Sequence, residues 1–289
     1  MSKKNAPVFV RAGQYEFVKL NAAGWEWRDS YHWLLTLTWS HFALFIFGVY
    51  LAVNLLFASL YSLADQAIAE ISRGSFFNAF FFSVETLATV GYGHMYPQTV
   101  YGHIVATAEI IIGMFGMAVV TGLIFVRFSR PTARLEFSRS LVLTPFDGVP
   151  TLMMRVANLR HQAMAEAEFR MMLGRNELTK EGEVMRRFYP LHLQFDRMIV
   201  FPVALTIRHV INEKSPLFGM TPEDFEKADV RIYASIVCID TVIPAPVQSQ
   251  QDYSWREIRF GHRFAEIYND LDYGRLSVDY GRLHDTEPV

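Results

Sequence analysis

One cysteine, Cys238, excludes an intrachain disulfide and leaves no cysteine-based zinc site. It lies in Ile236-Val237-Cys238-Ile239, the pattern of a buried strand. Charge is scarce: charged residues make up 19% and the formal net charge is −2, so there is no global basic signal for nucleic acid. No H-E-x-x-H, C-x-x-C or G-x-S-x-G occurs, which removes the residue sets for metallo-, redox and serine-hydrolase chemistry. The chain is therefore not expected to be an enzyme. Its nearest approach to a G-x-G-x-x-G nucleotide loop, Gly91-x-Gly93, ends in Tyr96 and follows an apolar helical run. The nine histidines are scattered and read as surface or strand residues. No apolar run precedes Trp33, and Lys3, Lys4, Arg11, Glu16, Lys19, Glu26 and Arg28 interrupt the N-terminal stretch, so no cleaved signal is expected.

Apolar residues, by contrast, are abundant. They form 51% of the 289 residues, and the mean hydropathy is +0.15. Both values are high for a soluble protein and low for one wholly in lipid, which predicts a membrane part joined to a soluble part. His41 to Leu63 carries no formally charged side chain, and Ile104 to Val126 carries only Glu109. At 1.5 Å per residue each run is long enough to cross roughly 30 Å of hydrocarbon. Trp39, Tyr61 and Tyr101 stand near the ends, where amphipathic rings prefer the headgroups. Between the spans, Phe76 to Ala88 is apolar at helical spacing behind a possible Ser75 cap, yet too short to cross. Its position favours a re-entrant helix over a core helix.

Lysine and arginine set the orientation. Lys3, Lys4, Arg11, Lys19 and Arg28 precede the first span, Arg127, Arg130, Arg134 and Arg139 follow the second, and the connecting loop has only Arg73. Both termini are thus expected in the cytoplasm of a cell with the protein in its inner membrane. The expected divisions are an N-terminal cytoplasmic segment at 1–28, a membrane domain at 29–131 and a soluble domain at 132–289. Asp29 to Trp39 reads as an interfacial helix capped by Asp29 or Ser30, or as an extension of the first span.

Thr89-Val90-Gly91-Tyr92-Gly93 follows the short helix. A potassium ion leaves water only where oxygen dipoles replace its hydration shell, and stacked rings of backbone carbonyls from several copies of one loop supply them. Carbonyls of Thr89, Val90, Gly91 and Tyr92, with the Thr89 hydroxyl, would form those rings. Pointing successive carbonyls inward requires positive φ, which Gly91 and Gly93 accept without a Cβ penalty. Irregular backbone at membrane depth is tolerated where it lines a wet pore. The negative C-terminal end of the preceding helix favours a cation there. Permeant potassium is the only ion or cofactor expected.

After Arg130-Pro131 the apolar runs shorten. Leu141–Leu143, Thr151–Val156, Arg187–Leu193, Val203–Val210, Arg231–Ile239, Arg263–Ile267 and Leu276–Val278 read as strands, with Pro145–Pro150 as a hairpin loop and turns at Ser215–Gly219 and Tyr273-Gly274. Such spacing predicts a β-sandwich.

The chain resembles the inward-rectifier potassium channels, most closely their prokaryotic (KirBac) branch. The resemblance rests on Phe82–Gly93, Arg127-Phe128-Ser129-Arg130-Pro131, Leu152–Arg160 with its Arg155-x-x-Asn158-x-Arg160, and Ser215–Gly219. It implies a homotetramer of two-span subunits, with an immunoglobulin-like cytoplasmic β-sandwich extending the pore. It also implies that Glu85 supports the filter from behind. Gly113, Met117, Thr121 and Phe125 recur every four residues. That stripe reads as helix packing; the resemblance instead makes it cavity-lining, with Phe125 as the gate at the bundle crossing and Gly113 and Gly122 as hinges. Arg127, Arg130 and Arg134 read as positive-inside anchors, and the resemblance adds contact with anionic lipid, phosphoinositide acting as an inhibitor.

Five positions depart from the family pattern. His94 and Met95 stand where eukaryotic members have Phe-Arg, so Glu85 needs another partner. Met117 stands where strong rectifiers carry an acid, and Thr132 and Ala133 replace lysines. Glu109 has no partner that the sequence identifies. Two rival readings are a membrane-anchored binding or signalling protein with a silent pore, and a non-selective cation channel.

Overall fold

The computed structural model describes residues 8–12, 15–20, 30–64, 66–69, 75–271 and 274–289. Lys3, Lys4, Glu26, Arg28, Asp29, Arg73 and Tyr273 lie outside the described residues, as do the side chains of Arg11, Glu16 and Lys19. Two compact units emerge: Ala23–Arg130, and Pro131–Val289 together with Met1–Ala22.

The first unit is helical. A short helix α1 (Ser30–Thr36) ends before α2 (Trp39–Ser62) begins, so the interfacial segment is a separate helix and not an extension of the span. Thr38 makes the break: its backbone is extended and its side chain accepts from the His41 amide, capping α2. Leu35 on α1 is buried with Phe42 and Leu123. The re-entrant helix α3 (Phe76–Leu87) starts at Ser75, whose Oγ accepts from the Asn78 amide at 3.4 Å. Finally α4 (Val100–Phe128) is capped by Thr99 and extends the expected second span at both ends. Phe57, Ala58, Tyr61, Ala79, Phe82, Val105 and Ala106 join α2, α3 and α4 in one apolar cluster. Other large side chains, among them Leu44, Phe47, Phe115 and Phe125, remain exposed in the single chain. Such a surface requires lipid or further copies of the chain to cover it.

The second unit is β-rich. An N-terminal hairpin pairs β1 (Val8–Ala12) with β2 (Tyr15–Lys19). Then follow β3 (Leu135–Phe137), β4 (Leu141–Phe146), β5 (Val149–Asn158), β6 (Met164–Leu178), β7 (Val184–Leu191), β8 (Arg197–Phe201) and β9 (Ala204–Val210). After the short helix α5 (Pro222–Lys227) come β10 (Arg231–Asp240), β11 (Ala245–Ser254), β12 (Ile258–Phe260), β13 (His262–Phe264), β14 (Tyr268–Leu271), β15 (Arg275–Val278) and β16 (Thr286–Pro288). One sheet runs β11-β10-β6-β7 with β8 also on β6; the other runs β12-β4-β5-β3 with β9 also on β5. Leu152, Met154 and Val156 from the second sheet bury against Phe169, Leu173, Ile232 and Ile236 from the first, so the unit is a β-sandwich. The β4–β5 hairpin closes through Asp147 (φ 51°) and Gly148 (φ 77°), both left-handed, as a two-residue turn requires. Of the stretch expected at Arg263–Ile267, only its first two residues fall in a strand. Ala265 and Ile267 are buried as irregular backbone instead.

Candidate functional site

The end of α3 turns directly into Thr89–Gly93. Amides of Val90 (2.8 Å) and Gly91 (3.3 Å) both donate to the Glu85 carbonyl, and that of Thr89 donates to the Thr86 carbonyl at 3.1 Å. Beyond this tether φ is positive at every second residue: 57° at Thr89, 52° at Gly91 and 85° at Gly93. Ordinary β backbone turns successive carbonyls to opposite sides of the strand. Reversing the hand at alternate residues brings them to one side. The glycines were expected to do this; Thr89 was not. A β-branched residue in the left-handed region is an outlier that its surroundings must hold in place.

Behind the segment, Tyr96 and Gln98 pair with Ala69 and Ala67 through backbone bonds of 2.9 and 3.0 Å. The loop leaving α2 thereby holds the chain after Gly93. Glu85 lies on α3 with its carboxylate 4.0 Å from Nδ1 of His94, the residue before Met95, which stands where eukaryotic members have the arginine. Tyr92 is 75% exposed in the single chain. Its ring lies 6.4 Å from that of His94.

Glu109 finds its partners on the two other helices. Tyr61 Oη on α2 donates to Glu109 Oε2 at 2.7 Å, and Ser83 Oγ on α3 bonds Glu109 Oε1. Ser83 Oγ also lies 3.0 Å from Asn54 Oδ1, and Asn54 Nδ2 donates to the Tyr50 carbonyl at 2.7 Å. Asn54, Ser83 and Glu109 have no exposed surface at all. Sequence reading passed over this cluster, although Asn54 is the one amide in the first apolar run and Tyr61 follows it by two turns.

Of the four-residue stripe on α4, Met117, Thr121 and Phe125 are exposed in the single chain, whereas Gly113 is buried. An ideal helix advances about 100° per residue, so steps of four drift by about 40° each and the stripe is not one straight face. Gly113 instead meets α3: a Cβ there would lie 2.5 Å from the Leu87 carbonyl oxygen. A Cβ on Gly122 would meet nothing within 4 Å.

Arg127 closes the far end of α4. Its Nη1 donates to the Leu34 carbonyl (2.8 Å) and its Nη2 to that of Leu37 (2.7 Å). The guanidinium also lies over the rings of Trp39 (4.7 Å) and Phe42 (4.5 Å). It thus satisfies carbonyls that the end of α1 leaves open, where a cation is favoured. Arg130 and Arg134 are exposed, and Arg130 Nη1 reaches the Leu35 carbonyl only at 3.5 Å.

In the sandwich, the Arg155-x-x-Asn158-x-Arg160 motif works as internal scaffolding. Buried Arg155 donates to the Ala265 carbonyl (2.9 Å), and burial holds its pKa below the usual arginine range. Asn158 Nδ2 donates to the carbonyls of Gln162 (2.9 Å) and Phe201 (3.2 Å). Arg160 donates to the Thr132 carbonyl (2.6 Å) and pairs with Asp240 (3.2 Å). Amides of Ile243 and Val242, aided by Arg160, keep that carboxylate below its usual range. Ser215–Gly219 is likewise structural: Ser215 Oγ bonds buried His209 at 2.8 Å, Leu217 is buried, and Gly219 turns the chain at φ 74°.

Comparison with known proteins matches both units. The family model "Inward rectifier potassium channel C-terminal domain" matches residues 135–289, and "Ion channel" matches residues 17–130. The inward rectifier potassium channel Kirbac3.1 of Paramagnetospirillum magnetotacticum is 39% identical over 266 residues, which is 92% of this chain and 90% of that protein. G protein-activated inward rectifier potassium channel 1 of Homo sapiens is 33% identical over 228 residues, 74% of this chain and 44% of its own length. G protein-activated inward rectifier potassium channel 4 of Mus musculus is 33% identical over 228 residues, 73% of this chain and 52% of its own.

Proposed function

Because this chain belongs to the inward rectifier potassium channel family, we propose that four copies of it form a potassium-selective pore, gated at the bundle crossing and modulated by anionic lipid. The observation that best supports this reading is the alternation of backbone hand at Thr89, Gly91 and Gly93, tethered to the end of α3. Repeated about a symmetry axis, it would stack the carbonyls of Thr89, Val90, Gly91 and Tyr92 into rings that replace the water around a potassium ion. Tyr92 then braces the filter against neighbouring copies, and the Glu85–His94 contact supports it from behind. Both termini and the sandwich lie in the cytoplasm, with the protein in the inner membrane.

Met117 and Thr121 line the cavity below the filter, and Phe125 forms the gate. Four phenyl rings converging near the inner end of α4 exclude water and close the path. Gly122, whose surroundings are open, lets α4 bend there; Gly113 is the second hinge position, and its contact with α3 restricts it. Arg130 and Arg134 carry most of the lipid contact, each worth about 1 kcal/mol near anionic headgroups. Arg127 contributes what its bonds to α1 leave free. Phosphoinositide, as the anionic lipid, acts as an inhibitor.

Purified protein in liposomes tests the whole reading. Barium-sensitive rubidium uptake is expected, with potassium far above sodium in reversal potentials and a rate that changes with anionic lipid content. No such flux under any lipid condition sinks the proposal.

Two variants test its parts. Phe125→Ala is expected to raise uptake per tetramer several-fold with selectivity unchanged. Phe125 is 70% exposed in the single chain, so its truncation removes little packing within a subunit, unlike the roughly 3–5 kcal/mol of a buried Phe. Equal or lower uptake per tetramer removes Phe125 from the gate. Met117→Asp is expected to strengthen voltage-dependent block by magnesium, because a charge in a low-dielectric cavity attracts a divalent ion more than in bulk. Unaltered block means Met117 does not face the ion path.

A further inference from the structure

We propose that Glu109 is kept as a neutral carboxylic acid and in that form acts as a positioning residue, fixing α3, and through it the filter, to α2 and α4. The second half of this statement rests on the reading of Thr89–Gly93 as the ion path; the first half does not.

The Tyr50 carbonyl can only accept, so the Asn54 amide nitrogen must face it, which turns Asn54 Oδ1 toward Ser83. Ser83 Oγ then stands between two oxygens, Asn54 Oδ1 and Glu109 Oε1, with a single hydrogen to give. If Glu109 is ionised, one of those two contacts has no hydrogen in it. Placing the proton on Oε1 gives each of the four contacts one hydrogen. Tyr61 donates to Glu109 Oε2, Glu109 Oε1 donates to Ser83, Ser83 donates to Asn54, and Asn54 donates to the Tyr50 carbonyl.

The surroundings agree with the count. Glu109 is completely buried, and its direct partners are a phenol and a hydroxyl. Among the described residues, no lysine, arginine or histidine forms an ion pair with it. The basic residues of the four helices are His32 on α1, His41 on α2, and His103 and Arg127 on α4. His103, the nearest of these in sequence, is six residues away, about 9 Å along the axis. An isolated buried carboxylate is costly enough that the group takes up a proton instead.

Position explains what the acid accomplishes. Ser83 and Leu87 are one turn apart on α3, and Glu109 and Gly113 are one turn apart on α4. Ser83 bonds Glu109, while the Leu87 carbonyl sits where a side chain on Gly113 would be. The two contacts set the height and the rotation of α3 against α4 immediately before Thr89. Tyr61 adds the third helix.

Infrared difference spectra of the full-length protein at neutral pH, unsubstituted minus Glu109→Gln, test the protonation state. A lost carbonyl-stretch band of a protonated carboxyl is expected; loss of carboxylate bands instead overturns the neutral acid. Potassium-over-sodium permeability in liposomes tests the positioning. Glutamine can accept from Tyr61 and donate to Ser83, so Glu109→Gln is expected to keep the ratio within about twofold. Ser83→Ala, recovered as the same oligomer, is expected to lower it about tenfold, the scale of one lost buried hydrogen bond. An unchanged ratio in Ser83→Ala, or a collapse in Glu109→Gln equal to that in Glu109→Ala, overturns the positioning role. Silence of the unsubstituted protein counts against the channel reading, and the infrared band, which needs no flux, still decides the state of Glu109.

Discussion

Gly91→Ala is expected to abolish potassium-selective flux while leaving the β-sandwich folded. Gly91 has φ 52°, in the left-handed region, between Val90 and Tyr92, which are not there. A Cβ at Gly91 meets nothing within 4 Å, so within the subunit the cost is not a clash. It is conformational: an L-residue pays about 1–2 kcal/mol to remain left-handed, and a fourfold assembly incurs that at every subunit. Thr89, two residues earlier, already bears the same strain at φ 57°. Relaxation of residue 91 to negative φ rotates its peptide plane and withdraws a carbonyl from the row. Either selectivity or conduction is then lost. The measurements are rubidium uptake, reversal potentials and thermal unfolding of the same preparation. Selective flux at the unsubstituted rate removes Thr89–Gly93 from the ion path.

The second large effect is expected at Gly113, and Gly122 provides its control. Alanine at 113 places a Cβ 2.5 Å from the Leu87 carbonyl oxygen and 3.3 Å from its carbon. Both are backbone atoms at the end of α3, so no side chain can swing aside. Overpacking of this kind costs about 1–3 kcal/mol, and here it displaces the residue two before Thr89. Gly113→Ala is expected to reduce the yield of assembled protein several-fold and to lower the potassium-over-sodium ratio of what remains. Gly122→Ala has open space and gains about 0.8–1.0 kcal/mol of helix propensity. It should assemble normally, and any change in its uptake reports on bending alone. Equal tolerance of alanine at both positions would remove the close contact with α3 as the reason for glycine at 113.

The membrane unit was more legible than the sandwich because its signals are local. Ser75, the apolar spacing of Phe76–Leu87 and the two long runs each declare themselves within a few turns. Their ends were not so clear: α4 starts at Val100 because Thr99 caps it ahead of the apolar run, and at its other end it continues to Phe128. In the sandwich, Arg231–Ile239 and Val203–Val210 were readable by alternation. The strand β6, fifteen residues long, was not read. Its Ala, Glu, Met, Leu and Arg residues are those a helix prefers, and only pairing with β7, β8 and β10 makes it extended. Gln248, Gln250 and Gln251 similarly hide β11, whose burial is confined to a few positions. The Glu109 cluster was illegible for a different reason. Asn54, Ser83 and Glu109 are joined by packing across three helices, and no periodicity within one segment brings them together.

The bond between Arg127 and the end of α1 also makes a thermodynamic link. Seven residues are too few for a helix to persist in isolation. The helix α1 depends on its apolar burial and on the cation that closes its last turn. A shift of the α4 end that withdraws Arg127 therefore lowers the helicity of α1. Coupling of equilibria is reciprocal, so any agent that orders α1, a charged bilayer surface included, biases α4 toward the position in which Arg127 reaches Leu34 and Leu37, and one that melts it biases α4 away.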